Sequence, residues 1–395
     1  VIFTTWVFAA FALLAIALYW GVVPQRLRAP YLVAVGAIFY AYAIPAYLAL
    51  IVALSAITYA ASYAMLRVPK SARRLYLLLG VTAMLATLGY FKYAHFLTAI
   101  VAQVARRDVL PLPHIVVPLA ISFFTFEFVH VLVDAYAGKI ERLRPMDFAA
   151  FALFFPTLVA GPIKRFESFA PQLHPIETPE GRTVALDLYR IAIGVAKKTI
   201  VADSMNAFTG PILRPGFPYG HVDYLVAMLC YAAKIYFDFS GYSDIAIGVA
   251  GLLGIAIPEN FDRPYRAHNI SVFWRRWHMS LSSWVRDYVF VPLGGSRGSR
   301  LVTAINLIAA MAIVGLWHGA AWTFVVWGLW HGVGLVVHRT WRENVVPRVA
   351  VLRSGTPIVR GLSTATTFAF VTSGWVFFAA SSLANAGLVF RGLLL

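Results

Sequence analysis

The chain is 395 residues long, 60% hydrophobic and 13% charged, with a formal net charge of +16. A soluble domain carries about 25% charged residues, so this deficit and a mean hydropathy of +0.74 exclude an ordinary soluble fold. Uncharged runs alternate with short basic clusters, which predicts an all-α polytopic membrane protein rather than the segments of about ten alternating residues found in a β-barrel.

The first apolar run, residues 6–23, has no small-residue cleavage signature and is read as a retained helix. Further membrane segments are expected at 31–44, 46–66, 74–104 (one long helix or two), 114–136, 146–160, 183–210, 222–236, 241–257, 301–317, 320–338, 361–379 and 383–395. Ten to twelve membrane-embedded helices are expected, some too short for the 20 residues or so of a full span and therefore re-entrant. Arg26 and Arg28 follow the first helix, and Arg67, Lys70, Arg73 and Arg74 the third; the turn at Ile44-Pro45-Ala46 carries no charge. The positive-inside rule makes the basic side cytoplasmic and the N-terminus external. No linker or soluble domain interrupts the chain, so residues 1–395 form one membrane domain. The sequence opens at Val1 without a methionine and closes on an apolar FRGLLL, the pattern of a chain cut at both ends.

The arginines flank apolar runs instead of forming one patch. That places them at lipid headgroups and argues against nucleic acid as a partner. Cys230 is the single cysteine; it excludes an internal disulfide and a cysteine-based metal site, leaving packing in the apolar run 225–233.

Chemistry concentrates between residues 236 and 332. In YFDFSGYSDIAIGVAGLLG, Asp238 and Asp244 stand among aromatic and small residues. Carboxylates at membrane depth face a bundle interior or water, while Gly241 and Gly248 permit close backbone approach; alternatively both aspartates lie in an interfacial loop and cap helices. In NISVFWRRWHMSLSSWVRDYVF, Phe273, Trp274, Trp277, Leu281 and Trp284 recur at helical spacing. Arg275, Arg276, Ser280, Ser283 and Arg286 fill the remaining circumference, which predicts an amphipathic helix lying at the interface. His278 adjoins the apolar stripe and serves either chemistry or a backbone hydrogen bond.

The stretch GLWHGAAWTFVVWGLWHG repeats GLWHG and carries His318 and His331. No Asp, Glu, Lys or Arg occurs from Leu301 to His338. A helix of that length would measure about 57 Å against a hydrocarbon core of about 30 Å, so the run folds back. His318-Gly319 is the natural break. In a continuous helix the two histidines would be about 20 Å apart and rotated by about 220°. Both geometries argue against a joint His318/His331 pair: one histidine carries chemistry and the other packs. His318, at a backbone break, is favoured for acid–base work, with His331 as structural support inside a Trp-rich helix. There is no G-x-S-x-G turn, no H-E-x-x-H and no nucleotide-binding glycine loop; PLGGSRGSR reads as a tight turn.

PLAISFFTFEFVHVLVDAYAGKI, FFPTLVAGPIKRFESF, the YFDFSGYSD block, PENFDRPYRAHNISVFWRRWHMSLSSWVRDYVFVPLGGSR and the GLWHG repeat together resemble the membrane-bound O-acyltransferase (MBOAT) family. Within it the chain looks most similar to the alginate O-acetyltransferase membrane subunit branch. FYAYAIPAYLAL and GYFKYAHFL extend the likeness over nearly the whole chain. Glu127 and His130 depart from it, standing where less polar residues are expected after SFFTF.

The resemblance implies a ring of tilted helices around a thin centre, with funnels from both faces. It implies a catalytic role for His318 and a second functional histidine at His278. Asp238, Ser240, Tyr242, Asp244, Trp274, Trp277, Arg275, Arg276, Trp317 and His331 are the supporting or substrate-binding candidates; no metal is implied. It further implies acyl transfer from a cytoplasmic thioester, acetyl-CoA or another carrier, with no bound cofactor. The acetyl group would pass toward an extracellular polysaccharide acceptor through a periplasmic acetyltransferase or esterase-like partner protein. Basic residues such as Lys164, Arg165, Arg275 and Arg276 would attract donor phosphates if they face the cytoplasm. Membrane lipid is the remaining partner, and a bacterial inner membrane the location. Two alternatives stay open: D-alanyl transfer toward teichoic acid, and a non-enzymatic acyl transporter, the latter disfavoured by the lack of an inverted repeat.

Overall fold

The computed structural model describes residues 2–106, 112–216, 219–353 and 355–394. Val1 and Leu395, the ends of the expected single domain, lie outside the described residues. Among the described residues the structure is helical, with only an isolated antiparallel bridge between Phe261 and Trp277. In chain order the helices are α1 (Trp6–Gly21), α2 (Arg28–Ala43), α3 (Pro45–Arg67), α4 (Lys70–Leu88), α5 (Ala94–Ala105), α6 (Ile121–Ala137), α7 (Pro145–Ala152) and α8 (Phe166–Phe169). Then come α9 (Gly181–Ala196), α10 (Asp203–Asn206), α11 (Gly210–Leu213), α12 (His221–Leu252), α13 (Ile270–Arg276) and α14 (Met279–Val285). The last are α15 (Arg300–His318), α16 (Trp322–Asn344), α17 (Ala350–Arg353), α18 (Pro357–Ala379) and α19 (Leu383–Leu394).

Several boundaries differ from the sequence expectation. The segments 222–236 and 241–257 are one helix, α12, which runs unbroken through residues 237–240. Asp238 meets Lys198 Nζ at 3.0 Å there, so the carboxylate that interrupts the apolar run is paired without ending the helix. α12 stops at a left-handed Gly254 (φ 76°), where Ile255 N donates to Ala250 O at 3.0 Å. The run 74–104 is a single helical stretch, Lys70–Ala105, with a π turn at Gly89–Tyr93 in its middle. The segment expected at 114–136 turns helical only at Ile121.

Four described helical stretches are long and apolar enough to cross a membrane: Pro45–Arg67, Lys70–Ala105, Arg300–His318 and Pro357–Ala379. The apolar helices Trp6–Gly21 and Leu383–Leu394 are shorter.

The chain forms two compact units. The first comprises residues 1–194 and 242–258. Its core is aromatic, with Phe124, Phe128, Phe151, Phe154, Phe155 and Phe169 buried. Close packing rather than water exclusion drives helix association in lipid, and Gly36 illustrates it: a Cβ there would run into the Leu153 carbonyl. The turns of this unit sort onto two faces. Gln25 Nε2 and Arg28 Nη1 donate to Ile176 O (3.2 and 3.4 Å), and His174 Nε2 meets Asp147 Oδ1 at 2.7 Å. Tyr59 Oη donates to Leu143 O at 3.5 Å, and Arg73 stands beside Gly138. These contacts gather the arginine-bearing turns on one side together with Lys139, Arg142 and Arg144. The uncharged α2–α3 turn lies elsewhere, where Tyr47 Oη donates to Val116 O at 2.6 Å.

The second unit comprises residues 195–241 and 259–395. Its centre is the hairpin of α15 and α16. Ser299 opens α15 as N-cap, accepting from Val302 N at 3.3 Å. The repeated pentapeptide has a packing explanation: a Cβ at Gly315 would strike Phe324 O, and one at Gly328 would strike Met311 O. Both copies of GLWHG therefore supply the glycine that lets the two helices approach backbone to backbone.

Candidate active site

α15 ends on His318, and the chain reverses over the next three residues before α16 begins at Trp322. Gly319, the C-cap, is extended (φ −164°, ψ 149°) and its N–H reaches back to Gly315 O at 3.4 Å. The break expected at His318-Gly319 is where the chain turns. The half-buried His318 ring is edge-on to Trp327 (5.1 Å between centroids, 88°) and to Phe378 (5.0 Å, 74°).

The helix expected over the FWRRWHMSLSSW stretch is broken. α13 stops at Arg276 and α14 starts at Met279, with His278 in the left-handed region (φ 45°) between them. Pairing of this stretch with PENFDR causes the break. Asp262 N donates to Arg276 O at 3.0 Å, Met279 N donates to Asn260 O at 2.9 Å, and the Phe261–Trp277 bridge lies between. The apolar residues of the stripe, Phe273, Trp274, Trp277, Leu281 and Trp284, are buried, and so is Ser280, which the expected amphipathic helix would have exposed. Trp277 stacks on Phe273 (5.6 Å, 18°).

His331 lies within α16 at 0% exposure. Its neighbours are aromatic: Trp327 at 5.0 Å, Trp274 at 5.2 Å and Phe370 at 5.8 Å. Neither ring nitrogen has a hydrogen-bond partner among the described residues. The three imidazoles and two indoles form a file. His278 lies 6.1 Å from Trp317, Trp317 lies 4.6 Å from His318, and Trp327 touches both His318 and His331. Six sequence candidates, Trp274, Trp277, His278, Trp317, His318 and His331, thus meet within the second unit.

The remaining candidates make other contacts. Asp238 and Asp244 both sit inside α12, so neither caps a helix in a loop. Asp238 meets Lys198 Nζ at 3.0 Å in the second unit, and Asp244 accepts from Arg190 Nε at 3.0 Å in the first. Ser240 is buried, with no hydrogen-bond partner for its hydroxyl among the described residues. Tyr242 belongs to the first unit, its ring edge-on to Phe3 at 5.6 Å. Gly248 is a close-approach position, where a Cβ would come within 2.8 Å of Asp187 O. Arg275 is exposed, and Arg276 lies 3.6 Å from Asp262.

Lys164 requires a correction. It is 2% exposed, and its Nζ meets Glu127 Oε1 at 2.6 Å, so it is no surface cation for a donor phosphate. The departure at Glu127 is thereby matched by a lysine 37 positions on. His130 is likewise bonded, its Nε2 accepting from Phe166 N at 3.1 Å.

Sequence reasoning missed Asn260, Lys198, Arg190, Trp327 and Phe378, and also Trp375, whose ring stacks on Trp327 at 5.7 Å. Trp327 was in plain view within the GLWHG stretch. Asn260 contacts His278 across 18 positions, through the pairing of two separate chain segments and not along one helix or strand.

These features define a helical membrane protein whose chain reversal places a histidine among indoles. The MBOAT, membrane-bound O-acyltransferase family, model matches residues 36–350. The chain belongs to this family, and it is a multi-pass membrane protein. It is 40% identical over 324 residues to the probable alginate O-acetylase AlgI of Azotobacter vinelandii, covering 80% of this chain and 61% of that protein. The corresponding protein of Pseudomonas aeruginosa is 39% identical over 328 residues, covering 80% and 60%. The peptidoglycan O-acetyltransferase of Helicobacter pylori is 34% identical over 352 residues, covering 82% and 66%. The chain spans about six-tenths of the length of the alginate-type relatives it matches.

Proposed function

We propose that the protein is the membrane subunit of an alginate-type O-acetylation system, moving acetyl groups from a cytoplasmic thioester toward an extracellular polysaccharide. The observation that carries this reading is His318: it closes α15 at a chain reversal, half-buried, with Trp317, Trp327 and Phe378 around its ring. The names of the alginate-type relatives point to the same transfer. Acetyl-CoA or another acyl thioester is the donor substrate, and no resident cofactor is called for.

In the reaction, the acceptor hydroxyl gives its proton to the His318 imidazole as its oxygen attacks the thioester carbonyl carbon. The carbon–sulfur bond breaks, and the leaving thiolate takes the proton back from the imidazolium. His278 is the second histidine of the machinery. His331 and Trp274 support the His318 side through Trp327, while Asp238, Ser240, Tyr242 and Asp244 line the polar block of α12. Arg165 and Arg275 draw in donor phosphates.

The family reading carries with it ten to twelve membrane helices, some re-entrant, in a ring around a thin centre with funnels from both faces. It also carries a periplasmic acetyltransferase or esterase-like partner that receives the acetyl group. The arginine-rich turns of the first unit share a face, which supports a cytoplasmic assignment for that face. The N-terminus is then external and the membrane a bacterial inner membrane.

Membranes containing the wild-type protein, its partner and labelled acetyl-CoA test the reading. Transfer of label to polysaccharide or partner, abolished by His318→Ala at unchanged protein level, is the expected result. Wild-type rates in His318→Ala would remove the histidine assignment. Transfer from a D-alanyl carrier, with none from acetyl thioesters, would replace acetyl transfer by D-alanyl transfer. Passage of acyl groups without thioester cleavage would make the protein a transporter.

A further inference from the structure

The geometry around His278 assigns a role to Asn260, given that His278 belongs to the acyl-transfer machinery proposed above. Asn260 is fully buried. Its side-chain oxygen accepts from Ser280 N at 3.3 Å and from Ser280 Oγ at 2.6 Å. A backbone N–H can only donate, so the amide atom facing it is oxygen and not nitrogen. The same oxygen lies 3.3 Å from His278 Nδ1. An amide oxygen only accepts, so Nδ1 carries the imidazole proton and Nε2 carries the lone pair. Nε2 is itself buried, and it has no hydrogen-bond partner among the described residues. Its ring meets Phe239 at 4.6 Å and Trp317 at 6.1 Å, neither of which competes for a proton by an acceptor atom.

We infer that Asn260 is a positioning residue that holds His278 in the Nδ1–H tautomer, so that in the resting protein His278 accepts a proton at Nε2 and does not donate one there. The consequence for the reaction is specific. A neutral Nε2 acceptor takes a proton from a hydroxyl or a thiol; it stabilises no oxyanion until it has done so. The backbone reinforces the arrangement. Asn260 O accepts from Met279 N, so the main chain and side chain of one residue hold the left-handed His278 and the two residues that follow it.

The test is nitrogen-15 NMR of histidine-labelled protein in lipid nanodiscs, with the His278 signals identified by their loss in His278→Gln. The expected result is the Nδ1–H pattern in wild type. Asn260→Ala should lose that single tautomer. Ser280→Ala, which removes a shorter hydrogen bond to the same oxygen, should keep it. In the acetyl-transfer assay Asn260→Ala should lower kcat by on the order of tenfold to a hundredfold, the range seen when a partner orienting a histidine is removed at metal sites. The donor KM should stay unchanged, and Asn260→Asp, which retains the acceptor oxygen, should recover part of the rate. An Nε2–H signal for His278 in wild type, or an unchanged tautomer in Asn260→Ala, overturns the inference. The wild-type spectrum decides even if the variant fails to accumulate. It also decides independently of turnover, so a protein inactive toward acetyl thioesters would refute the proposed function and leave this reading standing.

Discussion

His318 and His331 share a neighbour: the Trp327 indole lies 5.1 Å from the first imidazole and 5.0 Å from the second. A continuous helix would have held the two histidines about 20 Å apart. The hairpin brings both imidazoles to a single ring.

Trp327 is fully buried, so Trp327→Ala removes a core ring that both imidazoles contact. The expected loss of stability is about 3–5 kcal/mol, seen as a lower Tm in detergent, together with loss of acyl transfer. Trp327→Phe keeps an aromatic face and should retain most of the stability. Equal behaviour of the two variants would show that the indole is not a packing element.

Gly328→Ala forces a methyl group against the Met311 carbonyl in the α15–α16 contact. Overpacking of this kind costs about 1–3 kcal/mol. Gly387→Ala in α19 meets nothing within 4 Å, and should be neutral or stabilising by up to about 1 kcal/mol. Thermal unfolding of the two variants side by side checks the difference.

Lys164→Met leaves the Glu127 carboxylate buried without its cation. Breaking one side of such a pair costs about 3–5 kcal/mol. Adding Glu127→Gln removes the orphaned charge, and the double variant should recover most of the loss. A double variant as unstable as Lys164→Met alone would contradict the ion-pair account.

Orientation is open to a labelling measurement in a Cys230→Ser background. Glu141→Cys, on the arginine-rich face, should react with an impermeant maleimide only from the cytoplasmic side. His114→Cys, near the Tyr47–Val116 contact, should react only from outside. Reversed labelling would turn the N-terminus inward.

Much of the helical organisation is legible in the sequence because bilayer thickness sets the length of an apolar run. The 38 uncharged residues between Arg300 and Arg339 had to fold back, and a glycine after His318 is where the backbone yields most cheaply. The same reasoning misjudged residues 237–240. Asp238 and Ser240 lower the apolar character there, while the helix runs on through them. The break at His278 was invisible for a related reason. Tryptophans at three- and four-residue spacing suit a helix, but the pairing with PENFDR comes from residues more than a dozen positions away.

Composition and local pattern, acting through lipid solvation and helix geometry, determined on their own that this chain is helical, embedded in a membrane and reversed at His318. Partners depended on the tertiary structure. Lys164 with Glu127, Asp244 with Arg190 and His278 with Asn260 are contacts between residues far apart in the chain, and neither periodicity nor hydropathy carries information about which distant side chain fills a given hydrogen bond. Only the folded backbone, with α15 and α16 pressed together at their glycines, brings His318 and His331 to one indole.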